Sequence, residues 1–257
     1  MSSPEDGYQP FAQDYDAVYE RLRGPSGDAA FYLGLARAGG GPVLELGCGS
    51  GRVLLPIARE GIPAVGLDSS EAMLAQLASK SPPQNLRLVH SRMQDFDLLP
   101  ERFRLIFAGF RAFQHLLTVE DQLAALARVR AHLFGDGLFA FDVFAPRHDR
   151  LAQSEVAEVE DARVLREGEE IVRYASIPRI DLARQVMDLR FRIERRRDGV
   201  LLEETRWESA LRYFFRYELE HLLARSGFQV VEVYGGFDAR PFDHVSGETV
   251  VLARRGS

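Results

Sequence analysis

Between residues 43 and 143 the chain repeats one pattern: a short apolar run, a glycine or capping residue, an amphipathic stretch, then the next apolar run. Residues 43–46, 64–67, 86–90, 104–109 and 138–143 read as strands, and 52–59, 71–79 and 120–133 as the helices between them. Ser69 and Ser70 stand where a helix cap is wanted, and Gly135, Asp136 and Gly137 read as the turn into the fifth strand. Strands this short and this uniformly apolar are buried on both faces. That requires a parallel sheet with helices on either side. Right-handed crossovers then wind it in two directions, with a switch point after the first strand, where ligands bind beyond the carboxyl ends of the strands.

Past residue 146 the period changes. Met187, Leu189, Phe191 and Ile193 alternate with polar residues, as do Leu201, Thr205, Trp207, Leu211 and Tyr213. Asp198 and Gly199 form a hairpin signal between the two runs, and Gly168 joins a second hairpin, 156–166 to 171–176. An antiparallel insertion this long is not an idle loop. Helix 217–224 and strands 229–234 and 248–253 follow. At the other end, Tyr8, Phe11, Tyr15 and Tyr19 lie among acids in a short helix reaching residue 23. Asp28 then caps a helix running to residue 38. The expected organisation is an N-terminal helical lid segment (1–40), a core (41–145 and 214–257) and an inserted antiparallel β lid (146–213).

Charge narrows the function. A net charge of −6 leaves no basic footprint for nucleic acid. Arg190, Arg192, Arg195, Arg196 and Arg197 are interleaved with Glu194, Glu203, Glu204 and Glu208, as on a solvated, salt-bridged strand face. The single cysteine, Cys48, precludes an internal disulfide. No apolar run exceeds strand length, so no membrane span is expected. The polar N-terminus lacks a signal-peptide core, which suits a cytoplasmic protein. The histidines show no ligand spacing, so no metal is expected.

The sequence Gly47-Cys48-Gly49-Ser50-Gly51 joins the first strand to the first helix. Alternate glycines let the backbone approach a ligand closely. A dinucleotide fingerprint would place a glycine where Arg52 stands, and a phosphate loop would need Gly-Lys-Ser/Thr. The loop therefore suits a nucleoside without a pyrophosphate, which argues against a nicotinamide-dependent oxidoreductase. Asp68, ending the second strand, is placed to accept hydrogen bonds from a ribose diol; alone it would read as part of a helix cap.

Glu45 with Gly47, Gly49 and Gly51, followed by Gly66-Leu67-Asp68-Ser69-Ser70-Glu71-Ala72-Met73-Leu74, resembles the first two motifs of class I S-adenosylmethionine-dependent methyltransferases. The resemblance implies a doubly wound, seven-stranded, mostly parallel Rossmann-like sheet with S-adenosylmethionine as cosubstrate. It implies that the loop Gly47, Cys48, Gly49 and Gly51 faces the methionine part and that Asp68 holds the ribose. Ser69 and Met73 would line the adenine pocket, and Glu45 would order the loop through the ligand's amino end. In the third motif, His90-Ser91-Arg92-Met93-Gln94-Asp95-Phe96, Arg92 takes the family's acidic place. An arginine cannot accept the adenine amino group's bond, so Met93 is left to read that edge through its backbone. Phe110 belongs to the fourth motif.

The insertion also resembles that of small-molecule N-methyltransferases such as the nucleotide-amino-sugar dimethyltransferases and, more distantly, glycine N-methyltransferase. That resemblance is looser and says little about the substrate; the acidic charge and the enclosing lid lead us to expect a small-molecule acceptor with a nitrogen or oxygen nucleophile, attacked in line. The lid and the N-terminal aromatics are expected to enclose the acceptor. His115 and Tyr15 are the candidate bases, with helix capping and packing as their alternatives; Tyr19, Phe113 and Tyr213 are the candidate aromatic walls. The protein is expected to be a monomer or a homodimer through the β lid. The competing function is a regulatory or otherwise non-methylating protein that binds S-adenosylmethionine.

Overall fold

The computed structural model describes residues 12, 14–23 and 27–256, with the side chains of 20–23 left aside. Tyr8 and Phe11 lie outside that range. The chain forms two compact units, residues 27–146 with 213–257 and residues 1–26 with 147–212.

The larger unit begins with helix α2 (Asp28–Gly39), after which strands β1 (Val43–Leu46), β2 (Ala64–Asp68), β3 (Leu86–His90), β4 (Phe103–Ala108) and β5 (Leu133–Phe144) alternate with α3 (Leu54–Arg59), α4 (Glu71–Ser79) and α5 (Val119–His132). Helix α7 (Arg216–Arg225) and strands β10 (Phe228–Tyr234) and β11 (Glu248–Arg255) complete it. The seven strands lie in the order β10-β11-β5-β4-β1-β2-β3. β1 pairs in parallel with β2 and with β4, so the winding reverses between β1 and β4. β11 alone runs antiparallel to both its neighbours, β5 and β10.

Period-two alternation divides the core between the two faces of this sheet. Leu44, Leu46, Ile106, Phe139 and Phe141 bury one way, with Leu126, Val129, Leu219 and Leu223 from α5 and α7. Val43, Leu105, Phe107 and Ala140 bury the other way, with Tyr32, Ala36, Leu54, Ile57 and Leu77 from α2, α3 and α4. The Gly135-Asp136-Gly137 segment is not a turn before the strand; it bulges out of β5. Phe103 pairs with Leu133 and Leu105 with Leu138, so the extra β5 residues loop out between adjacent ladder positions.

The smaller unit contains α1 (Tyr15–Arg23), α6 (His148–Leu151) and a four-stranded antiparallel sheet ordered β6 (Val156–Arg166), β7 (Glu169–Asp181), β8 (Val186–Arg197), β9 (Val200–Arg212). Each strand pairs with the next through a hairpin, at Gly168 and at Asp198-Gly199 among them. Met187, Phe191, Ile193 and Trp207 are buried, as their alternation requires. The arginine-rich stretch of β8 is salt-bridged: Arg190 meets Glu208, Arg196 meets Glu194, Arg197 meets Glu169, and Arg195 makes a two-oxygen pair with Asp14 at 2.7 Å. The described residues before 27, α1 among them, thus group with the inserted sheet, whereas α2 belongs to the larger unit. No described helix is long and apolar enough to cross a membrane.

Candidate nucleoside and methyl-transfer site

The loop after β1 is shaped by the backbone and fastened by one carboxylate. Gly47 N–H and Cys48 N–H both donate to Leu67 O, at 2.8 and 2.9 Å, which ties the loop to the end of β2. There Asp68 accepts from Gly49 N–H at 2.7 Å with one oxygen and from Ser70 N–H at 2.8 Å with the other. Ser70 caps α4 by accepting from Met73 N–H. Asp68 therefore braces the loop and the helix start together, and each oxygen keeps a lone pair for a further donor. Burial pushes its carboxyl above the ordinary range, against the lowering effect of the Ser70 and Gly49 bonds.

Gly47 and Gly51 both have left-handed backbones, φ 71° and 83°. A Cβ on Gly47 would lie 2.8 Å from Ala112 Cβ, and one on Gly51 would lie 2.2 Å from Leu77 Cδ1. Gly51 is thus required by α4 packing, whereas Gly49 sits beside Met73 and Gly47 beside Met93 and Ala112. Cys48 turns its thiol into the core against Gly66, and burial raises its pKa well above the usual thiol range.

Beneath the loop lies a buried acid. Glu45 is on the face of β1 that α2 covers, only 3% exposed, and its Oε2 has no hydrogen-bond partner. Burial pushes its carboxyl well above the ordinary range; Arg52 opposes that, while Asp68, Asp28 and Asp142 add to it. Arg52 makes a two-point pair with Asp28, at 2.9 and 2.5 Å, and lies 5.1 Å over the Phe110 ring. A buried acceptor without a donor costs on the order of 1–3 kcal/mol. A cationic ligand with N–H donors relieves that cost.

The turn after β4 faces this loop. Phe110 and Arg111 are both left-handed, φ 55° and 65°, a conformation that costs non-glycine residues about 1–3 kcal/mol each. Asp142 of β5, fully buried, accepts from both backbone N–H groups, at 2.8 and 3.0 Å, and from the Tyr32 hydroxyl at 2.7 Å. Arg111 pairs with Glu248 at 2.7 Å.

Residues 43–137 match the family model described as a methyltransferase domain. The core is an S-adenosylmethionine-dependent methyltransferase domain. The whole chain is similar to the CcbJ methyltransferase of Streptomyces caelestis, with 26% identity, all of both chains covered and a TM-score of 0.82. It is also similar to CalS10, an amino pentose methyltransferase from Micromonospora echinaspora whose structure holds S-adenosylmethionine. There the identity is 26%, over 94% of this chain and 96% of that one, with a TM-score of 0.71. DesVI of Streptomyces venezuelae shares the fold at 21% identity, over 95% and 98% of the two chains, with a TM-score of 0.76.

Glu45, the glycines, Asp68, Met73, Met93 and Phe110 lie together around the strand ends at the β1–β4 reversal. Ser69 is half-buried beside them, its carbonyl 2.9 Å from His90 Nε2. Arg92 is exposed, with acidic oxygens of Asp95 and Asp121 at 3.6 and 3.8 Å. His115 ends a 3-10 turn, Ala112–His115, and desolvation holds its pKa down to about 4. The three expected substrate walls are all buried. Phe113 stacks with Phe141 and Phe214 in the core, and Tyr213 is 2% exposed. Tyr19 lies in the smaller unit under the Arg173 guanidinium, next to Tyr15. Aromatic rings in these segments bury more apolar area against their own unit than an open pocket wall would. Asp28, Tyr32, Arg52 and Asp142 escaped the sequence reading as site residues. Arg52 left a signal, standing where a dinucleotide site needs glycine, and Asp142 left another, as an acid inside an apolar strand.

Proposed function

We propose that this methyltransferase alkylates a small-molecule acceptor through a nitrogen or oxygen nucleophile, and that an amino sugar is the acceptor class to test first. The observation that carries the reading is the buried Glu45 carboxylate, one oxygen unpartnered, beneath a glycine loop braced by Asp68. This donor set fits S-adenosylmethionine: Glu45 meets the amino end, the lone pairs left on Asp68 receive the ribose hydroxyls, and Met73 and Met93 flank the base. The similarity to an amino pentose methyltransferase over nearly the whole chain supports the acceptor class.

When bound, S-adenosylmethionine supplies an electrophilic methyl group on a sulfonium. The chain's own task is alignment, which accounts for several kcal/mol of such a barrier. His115 is neutral at physiological pH, with a pKa near 4. That makes it a hydrogen-bond acceptor able to orient an acceptor's N–H or O–H, and a weak base. An amine that arrives uncharged needs nothing stronger, since its proton leaves after transfer.

The test offers methyl-labelled S-adenosylmethionine in parallel to amino sugars, a metabolite extract, total RNA and mixed protein. Label in the small-molecule fraction together with S-adenosylhomocysteine is expected. Label confined to RNA or protein refutes the acceptor class, and binding with no transfer anywhere favours the regulatory alternative.

A further inference from the structure

Asp142 is a fully buried acid that sequence pattern assigns to the interior of a strand, and the chemistry described above makes no use of it. Its partners are specific. One oxygen accepts from the Tyr32 hydroxyl and from Phe110 N–H, and the other from Arg111 N–H. Tyr32 is itself fixed, stacked on Phe107 at 4.6 Å and fully buried in α2. The two backbone donors belong to consecutive left-handed, non-glycine residues, a turn that an ordinary chain does not hold unaided. The next residue, Ala112, packs so close to Gly47 that a single added carbon on the glycine would touch it. Gly109, just before the turn, lies at ordinary contact distance from both Tyr32 and the Glu45 carboxylate, where a Cβ would stand 3.4 and 3.6 Å from them. A continuous path of contacts therefore runs from Asp142 to the loop that faces the cosubstrate.

We propose that Asp142 and Tyr32 are positioning residues: the carboxylate, steadied by the hydroxyl, clamps the turn of Phe110 and Arg111 and thereby holds the glycine loop in its binding shape. The consequence for affinity rests on the cosubstrate site described above; the clamp itself does not.

Two readouts separate them. Amide hydrogen exchange at Phe110 and Arg111 reports the clamp, and calorimetric binding of S-adenosylmethionine reports its consequence. Asp142→Asn keeps the shape but offers one accepting oxygen to two N–H groups and a hydroxyl. It should speed exchange at one or both amides at least tenfold and weaken binding at least tenfold. Tyr32→Phe, which removes only the hydroxyl, should do the same about threefold, and it carries the test should Asp142→Asn fail to fold. Arg111→Gly, introduced into either variant, should recover at least threefold in affinity, because glycine adopts the left-handed turn without a clamp. A merely structural role for Asp142 would show no such rescue, since Arg111→Gly also removes the ion pair with Glu248. Unchanged exchange in the folded variants overturns the clamp, and loss of affinity without rescue by glycine overturns its link to the loop. Failure of the parent to bind S-adenosylmethionine would remove the cosubstrate reading, and the exchange rates would still decide the clamp.

Discussion

Gly51 and Gly61 share a left-handed φ of 83°, yet a side chain would meet Leu77 Cδ1 at 2.2 Å at the first and open space at the second. Substituting alanine at each therefore separates two effects that glycine loops usually confound. Gly61→Ala incurs only the backbone strain, about 1–2 kcal/mol. Gly51→Ala incurs the same strain plus overpacking, about 1–3 kcal/mol, because Leu77 is fully buried in α4 and has nowhere to swing. The expected total at Gly51 is about 2–5 kcal/mol. Pairing Gly51→Ala with Leu77→Ala should remove the overpacking part and leave a coupling of about 1–3 kcal/mol in the double-mutant cycle.

The probe must belong to the larger unit. The one tryptophan, Trp207, lies in the smaller unit and would report the wrong transition. The one cysteine, Cys48, lies buried in the loop itself. Its alkylation rate across sub-denaturing urea gives the opening free energy of the region directly. Equal costs for Gly51→Ala and Gly61→Ala, or a cycle with no coupling to Leu77, would refute the assignment of Gly51 to helix packing.

Three further outcomes follow from the site. Asp68→Asn should weaken S-adenosylmethionine by about 2–3 kcal/mol through lost charge-assisted bonds; calorimetry showing unchanged affinity in a folded variant would remove Asp68 from the ribose site. Arg92→Asp should leave that affinity within about twofold of the parent or tighter, because Arg92 stands exposed beside Asp95 and Asp121; a large loss would give the arginine a ligand role of its own. His115, whose pKa falls from 6.5 to about 4 on folding, takes up a proton more readily when unfolded. Its contribution is complete above pH 6.5 and is lost as pH falls towards 4, by up to about 3 kcal/mol. Unfolding free energies of parent and His115→Gln should therefore diverge in slope within that window, and parallel slopes would contradict the desolvation of the imidazole.

What the sequence discloses is local, and the fold between 43 and 143 is built of local signals. Residues 71–79 and 86–90 form α4 and β3 with the bounds the pattern implies, because a serine cap, an apolar period and flanking prolines act within a few residues. The Gly135-Asp136-Gly137 segment shows where such signals stop. Its composition correctly marks irregular backbone, but whether that becomes a turn or a bulge depends on β4, whose Phe103 pairs with Leu133 on the far side of it. The hairpins of the inserted sheet are legible for the same local reason, through Gly168 and Asp198-Gly199.

The site divides along the same line. The glycine loop and Asp68 are legible because the loop, the strand and the helix that need them are contiguous. Phe113 is legible as an aromatic beside the site, but its stacking on Phe141 and Phe214 is not, because those rings come from distant parts of the chain. Asp142 is the extreme case. Its position in β5 demands an apolar residue, and the groups that make an acid tolerable there come from Tyr32, 110 residues earlier in the chain, and from two backbone amides about a strand and a helix away. No periodicity encodes such a partnership. A charged residue placed where the sheet should be driest is nonetheless a signal: such a group persists only if several donors converge on it. Glu45 and Asp142, both buried on the face of the sheet that α2 covers, are the two positions where this chain carries that signal.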